Sequence, residues 1–188
     1  DRALERGRPV YGGRIRKGKI VVTETAAWFT PGAVRIITLV DFSIDDAQIE
    51  GTRTLTNLGF DAGGNISFQR NLTGGKITFP NGDVATWQAD HTLTQTEGGS
   101  TALIWLDNVF EISGGSSGVN RNGKAFTSTI TAPLVKKAAC FWVSEGGISL
   151  TVQDKTASID YGNGDCDRKA TVTLPNGSTH EILIHRWW

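Results

Sequence analysis

Apolar and polar residues alternate along most of this chain with a period of two, the spacing of a strand that buries one face and wets the other. Lys19-Ile20-Val21-Val22-Thr23 is one such run. Val34 to Ile44 is a second, with Val34, Ile36, Thr38, Val40 and Phe42 on one side. In Gln48 to Asn57, Ile49, Gly51, Arg53, Leu55 and Asn57 share a side and Thr52, Thr54 and Thr56 oppose them. The pattern continues through Asn65–Arg70, Lys76–Phe79, Val84–Thr96, Thr101–Ile112, Lys124–Thr131, Ala139–Ser144, Ile148–Val152, Ala157–Tyr161, Arg168–Leu174 and Thr179–Ile184. Asp1 to Arg6 alone has room for a turn or two of helix before Gly7 and Pro9 stop it.

The connections are short and chemically explicit. Asn81-Gly82, Asn122-Gly123, Asn163-Gly164 and Asn176-Gly177 are flanked by strand-like residues, and Asn-Gly suits the positive φ of a type I′ hairpin turn. Gly74-Gly75, Gly98-Gly99 and Gly146-Gly147 mark further expected reversals. Short turns make successive strands antiparallel, because parallel neighbours need long crossovers for which there is no helical material. The expected fold is therefore all-β, an antiparallel meander of many short strands closing as a sandwich or remaining an open curved sheet.

Residues 1–17 read as an N-terminal arm and 18–188 as a single all-β domain. Two similar halves, about 18–99 and 100–188, are the alternative. Thr78-Phe79-Pro80-Asn81-Gly82-Asp83 recurs as Thr173-Leu174-Pro175-Asn176-Gly177-Ser178, and Phe42-Ser43-Ile44-Asp45 has an echo in Phe110-Glu111-Ile112-Ser113. An internal duplication and repeated hairpin chemistry both account for these echoes.

Composition narrows the function classes. Lys and Arg total 19 against 19 Asp and Glu, so there is no cationic surplus of the kind a nucleic-acid binder uses to displace counterions from phosphates. The local surplus at the start, Arg2, Arg6, Arg8, Arg14, Arg16, Lys17 and Lys19, reads as a solvated arm near a membrane anchor or partner, with polyanion binding as the sharper alternative. No stretch approaches the ~20 apolar residues of a membrane-spanning helix. The absence of Met implies that a leader or tag has been removed. Cys140 and Cys166 fit no zinc spacing; one disulfide in an oxidising compartment is the economical reading, two buried thiols the other.

Several motifs then carry a resemblance. Gly18–Thr23, Ile49–Thr54, Gly118–Lys124, Cys140–Trp142 and Tyr161–Asp167 together resemble the pattern of uncharacterised secreted lipoproteins of Gram-negative bacteria. The two Cys-containing motifs are its strongest elements and look like a matched pair. The resemblance implies export to the periplasm or outer membrane and a lipid anchor upstream of Asp1, which would be the membrane attachment. It implies no reaction.

Candidate chemistry is sparse. Asp160, Asn163, Asp165 and Asp167 cluster oxygen ligands on one glycine-rich turn, as Ca²⁺ requires, although the spacing is not that of an EF-hand. Asp residues capping backbone amides explain the same cluster, and explain Asp41, Asp45 and Asp46. No cofactor other than Ca²⁺ is indicated. Gly114-Gly115-Ser116-Ser117-Gly118 spells a nucleophile elbow, but the strand-to-helix setting is missing and a flexible loop is expected. His91, His180 and His185 have no nucleophile or orienting partner visible in the sequence. No catalytic residue can be named, and a polysaccharide hydrolase using carboxylates such as Asp165 and Asp167 is the alternative to a non-catalytic protein.

Tryptophan is the most suggestive residue, six in all. Trp105 and Trp142 lie in apolar runs and are expected in the core. Trp28 in a loop and Trp188 at the chain end are the candidate ligand-binding aromatics, since exposed rings grip sugars and partner surfaces. The expected function is a non-catalytic envelope protein that binds or scaffolds a glycan or protein partner, or else a structural subunit of a surface assembly, for which the N-terminal arm would donate a strand.

Overall fold

The structure is a computed structural model that describes residues 2–10, 14–101 and 104–184, with side chains from residue 14 onward. It is one antiparallel sheet of twelve strands in sequence order: β1 (Arg2–Val10), β2 (Arg14–Glu24), β3 (Val34–Ile44), β4 (Ala47–Phe60), β5 (Ile66–Thr78), β6 (Val84–Glu97), β7 (Val109–Val119), β8 (Ala125–Lys137), β9 (Glu145–Val152), β10 (Lys155–Asn163), β11 (Lys169–Thr173) and β12 (Thr179–Leu183). The meander is open, since β1 and β12 do not pair. Each strand packs substantially against its sheet neighbours alone, so there is a single layer and no sandwich.

The pleat explains how a single layer holds together. Directly paired residues share a face, and register sorts the side chains by chemistry. Across one face run Val22, Ile37, Arg53, Leu72, Ala89, Ser116, Ser128, Leu150 and Ala157. Parallel to that row lie Asn57, Phe68, Leu93, Ile112 and Leu134. The opposite face carries Ile36, Thr54, Asn71, Asp90, Gly115, Thr129, Ser149, Ser158 and Thr173. One face is thus largely apolar and the other largely hydroxyl and amide. The split read in β4 from sequence, Arg53, Leu55 and Asn57 against Thr52, Thr54 and Thr56, is the split observed.

The cost of a single layer is exposure. Fully buried apolar side chains among the described residues are few: Ala33, Phe42, Ile66, Leu134, Cys140 and Ala170. Accessible surface totals 11989 Å², against about 8,800 Å² for a compact monomer of this mass.

Local chemistry departs from expectation at several of the turns. Three of the Asn-Gly hairpins are three-residue loops, not type I′ turns. Gly82, Gly123 and Gly177 take positive φ, and their amides bond back to Phe79, Asn120 and Leu174. The preceding Asn residues stay at negative φ, the type I turn plus glycine bulge. Asn163-Gly164 closes no hairpin, because Asn163 is the last residue of β10. Two tight turns instead use residues that sequence did not flag: Asp45-Asp46, both at positive φ, and Gln153-Asp154, with Gln153 at positive φ.

Gly74-Gly75 and Gly146-Gly147 are not reversals. Both lie within strands, at breaks in register, and a Cβ on Gly146 would fall 2.2 Å from the Pro133 carbonyl oxygen. Gly114 to Gly118 is likewise strand β7, not a flexible loop. A Cβ at Gly114 would sit 2.1 Å from the Asp90 oxygen and one at Gly118 2.0 Å from the Thr86 oxygen, so glycine here permits close strand approach. Thr101–Ile112 is a strand only from Val109, and Ala139–Ser144 is a loop. The segment expected to start as a helix, Asp1–Arg6, is strand from Arg2 onward, paired to β2.

Candidate functional site

A meander puts alternate connections at the same end of the sheet. At one end lie the tight turns 45–46, 79–83, 120–124, 153–154 and 174–178. At the other lie the connections 25–33, 61–65, 98–108 (described at 98–101 and 104–108), 138–144 and 164–168. Trp28, Asp165 and Asp167 all belong to the second set, and Asp160 and Asn163 sit at the end of β10 leading into it. The fold therefore gathers the described candidates onto one rim, an arrangement that sequence did not reveal.

Two buried polar side chains, Asn57 and Gln95, and the exposed carboxylate of Asp61 build this rim. Asn57, 1% exposed, donates from Nδ2 to the Trp28 carbonyl at 2.9 Å, and its Oδ1 accepts the Gly59 amide at 2.7 Å. Gln95 accepts the Ile66 amide and donates to the Glu97 carbonyl and Asn108 Oδ1. Asp61 accepts the amides of Gly63 and Asn65 and the Asn65 side chain, which hold its carboxyl below the usual carboxylate range.

Neighbouring loops are also tied to one another. Gly99 N donates to Asn65 Oδ1 at 3.2 Å and Ala138 N to the Asn108 carbonyl at 2.8 Å. Gly164 N donates to the carbonyl of fully buried Ser144 at 2.9 Å, and Lys137 Nζ to the Gly164 carbonyl at 2.8 Å. The Cys140–Cys166 disulfide joins loops 138–144 and 164–168 covalently. Four loops are thus laced in a row, and their backbone shape is fixed by partners other than solvent.

This scaffold carries exposed rings, though not the expected ones. Trp28 is half-buried, stacked on Phe68 at 4.9 Å between centroids, with the Arg35 guanidinium 4.3 Å from its ring centre. Its ring is engaged within the protein. The neighbouring Phe29 is 70% exposed instead. Trp105, expected in the core, is 65% exposed on a single 3-10 turn, Trp105–Asp107, because the apolar run around it belongs to a loop. Trp142 is half-buried in a loop, not within a strand, and Phe141 beside it is 71% exposed. Trp188, with His185, lies outside the described residues. A pair of adjacent aromatics in a loop, Trp28-Phe29 or Phe141-Trp142, is the sequence signal: one ring turns in and the other out.

Asp160, Asn163, Asp165 and Asp167 line one hollow of about 90 Å³ together with Lys169 and Glu181. Within it Asp160 Oδ1 caps the Gly162 amide at 2.8 Å and Asp167 Oδ1 the Lys169 amide at 2.9 Å. The Lys169 ammonium pairs with Glu181 at 3.2 Å. Among the described residues, no group of three or more His, Cys, Asp or Glu side chains is placed to hold a metal ion. Amide capping accounts for the placement of Asp160 and Asp167. Asp45 and Asp46 are likewise engaged, with Arg14 at 3.8 Å and Lys17 at 2.7 Å.

No protein-family model matches the chain, and no curated protein or solved structure matches it either.

Proposed function

We propose that this chain is a non-catalytic binding protein of the bacterial cell envelope, and that it meets a glycan or protein partner through the loop rim. The observation that carries this reading is the exposure of Phe29, Trp105 and Phe141, 65–71%, on three separate loops of the rim. Large rings held in water cost free energy in the lone chain, and they supply contact area at low entropic cost when a sugar ring or protein surface covers them. The lacing of loops 61–65 to 164–168 supports the same reading, because a pre-shaped surface loses less freedom on binding. Export to the periplasm or outer surface, and kinship with secreted lipoproteins, remain part of the proposal. The disulfide is compatible with an oxidising compartment.

The test is a glycan array together with capture from an envelope extract, using the chain and a Phe29→Ala/Trp105→Ala/Phe141→Ala variant. A defined glycan or protein retained by the chain and lost by the variant is the expected result. Equal retention by both would remove the rim as the binding surface.

The free outer edges of β1 and β12 favour a second reading, a structural subunit that grows by strand addition. Sedimentation velocity separates the two: assemblies that lengthen with concentration support strand addition, and a monomer at all concentrations excludes it.

A further inference from the structure

The apolar face has an interruption at its middle. Arg53 on β4, Arg70 on β5 and His91 on β6 rise there from three adjacent strands. Arg70 stands directly opposite His91, Arg53 opposite Leu72, and Leu72 opposite Ala89. These five residues line a hollow of about 230 Å³. Register is unbroken across this part of the sheet, so the three basic groups face the same side.

Neither guanidinium has an ion pair or hydrogen bond with a described side chain, although six other basic residues do. The acid next in sequence, Asp90, projects from the opposite face and accepts a hydrogen bond from Gln69 there. The nearest carboxylate on the apolar face along these rows, Glu24, is paired with Arg35. Burial first, and the Arg53 charge second, pull the Arg70 guanidinium below its ordinary affinity for protons. A half-buried guanidinium and imidazole beside the exposed Arg53, with no free counter-charge along these rows, favour a ligand that supplies one.

What supplies it must match both halves of the site. Guanidinium forks bind carboxylate or phosphate oxygens bidentately, and His91 adds a ring N–H. The wall beyond them is Leu72 and Ala89, with Leu55 opposite Arg70, Ile37 opposite Arg53, and Trp87 two residues along β6 on the same side. An extended peptide laid over this wall would leave backbone amides facing leucine without partners, whereas an aliphatic chain carries no such groups. A second copy of this chain laid face to face would bring the same cations and, among the described residues along these rows, no free acid.

We propose that Arg53, Arg70 and His91 form a binding site for the oxyanion headgroup of an amphiphile, a carboxylate or phosphate whose aliphatic chain lies over Leu72, Ala89 and Trp87. This site shares no residue with the loop rim and stands or falls separately from it.

Isothermal titration of the wild-type chain with dodecyl phosphate, laurate, dodecanol and inorganic phosphate, each below its aggregation threshold, reads the proposal without any variant. Dodecyl phosphate and laurate are expected to bind one to one, about tenfold or more tighter than dodecanol or inorganic phosphate. Dodecanol binding as tightly as the anions overturns the headgroup assignment. Inorganic phosphate binding as tightly as dodecyl phosphate overturns the chain assignment, and no binding by either amphiphile overturns the site. An Arg53→Gln/Arg70→Gln variant, its fold checked by circular dichroism, is expected to lose about tenfold or more for both anions. Unchanged affinity in that folded variant also overturns the proposal.

Discussion

The side-chain amide of Asn57 donates to the main-chain carbonyl of Trp28, 29 residues earlier, at 2.9 Å. Through it a strand residue on the apolar face sets the shape of the first rim loop. Asn57 also bonds by its own backbone to Ala33 and Gly32, so β4 grips the loop at two further points, while Oδ1 accepts the Gly59 amide within the strand. The stacking of Trp28 on Phe68 follows from that grip.

Replacing Asn57 by Ala removes both side-chain bonds and leaves the Trp28 carbonyl and Gly59 amide short of a partner. The expected loss is about 2–3 kcal/mol in urea unfolding. Asn57→Asp keeps an acceptor for Gly59 but has no donor for Trp28, so it should not restore stability. Wild-type stability in either variant would show that water replaces the amide without cost.

Reduction of Cys140–Cys166, which encloses a sequence separation of 26 residues, should lower stability by about 3–4 kcal/mol on the chain-entropy account. Thiol labelling of the denatured, unreduced chain should find no free thiol. Unfolding curves that coincide with and without reductant would mean that the bridge contributes nothing to a sheet already held by its ladder.

Two glycine substitutions separate strain from space. Gly123 takes φ +73° with nothing within 4 Å of a built Cβ, so Gly123→Ala should cost about 1–2 kcal/mol, the left-handed penalty alone. A Cβ on Gly118 meets the Thr86 oxygen at 2.0 Å, so Gly118→Ala must move β6 from β7 and should cost more than about 2 kcal/mol. Chemical denaturation of the pair reads the order, and a reversed order would contradict the close strand approach.

His91 makes stability depend on pH. Burial, then the Arg70 charge, push its imidazole below the ordinary value of 6.5, with Asp90 opposing them and Arg53 adding a smaller share. The unfolded chain then takes up a proton more readily than the folded one. Stability is whole above about pH 6.5 and falls as pH drops below it, until the folded imidazole protonates too. Urea midpoints measured from pH 7.5 to 5 should decline more steeply for the wild type than for His91→Gln. Parallel curves would exclude His91 as the source.

Local chemistry made much of this protein legible in its sequence. Period-two alternation fixes strands whatever their neighbours are, and the absence of helical material between them forces antiparallel pairing in chain order. The chemical division of β4, threonines on one side and Arg53, Leu55 and Asn57 on the other, is readable because adjacent side chains in a strand must point apart. Where sequence reading failed, a local signal had two meanings. Gly74-Gly75 and Gly146-Gly147 carry the residue of a turn, but glycine also serves where two backbones approach, and the difference lies in a strand the local sequence does not contain. The apolar stretch around Trp105 has the composition of a strand and the position of a loop.

The tertiary structure alone decided that the sheet remains a single open layer, that loops distant in sequence share one rim, and that Phe29 rather than Trp28 turns outward. It also brought Arg53, Arg70 and His91 together. Each occupies an ordinary strand position, and their meeting depends on register across three strands, which pairing along the whole ladder sets.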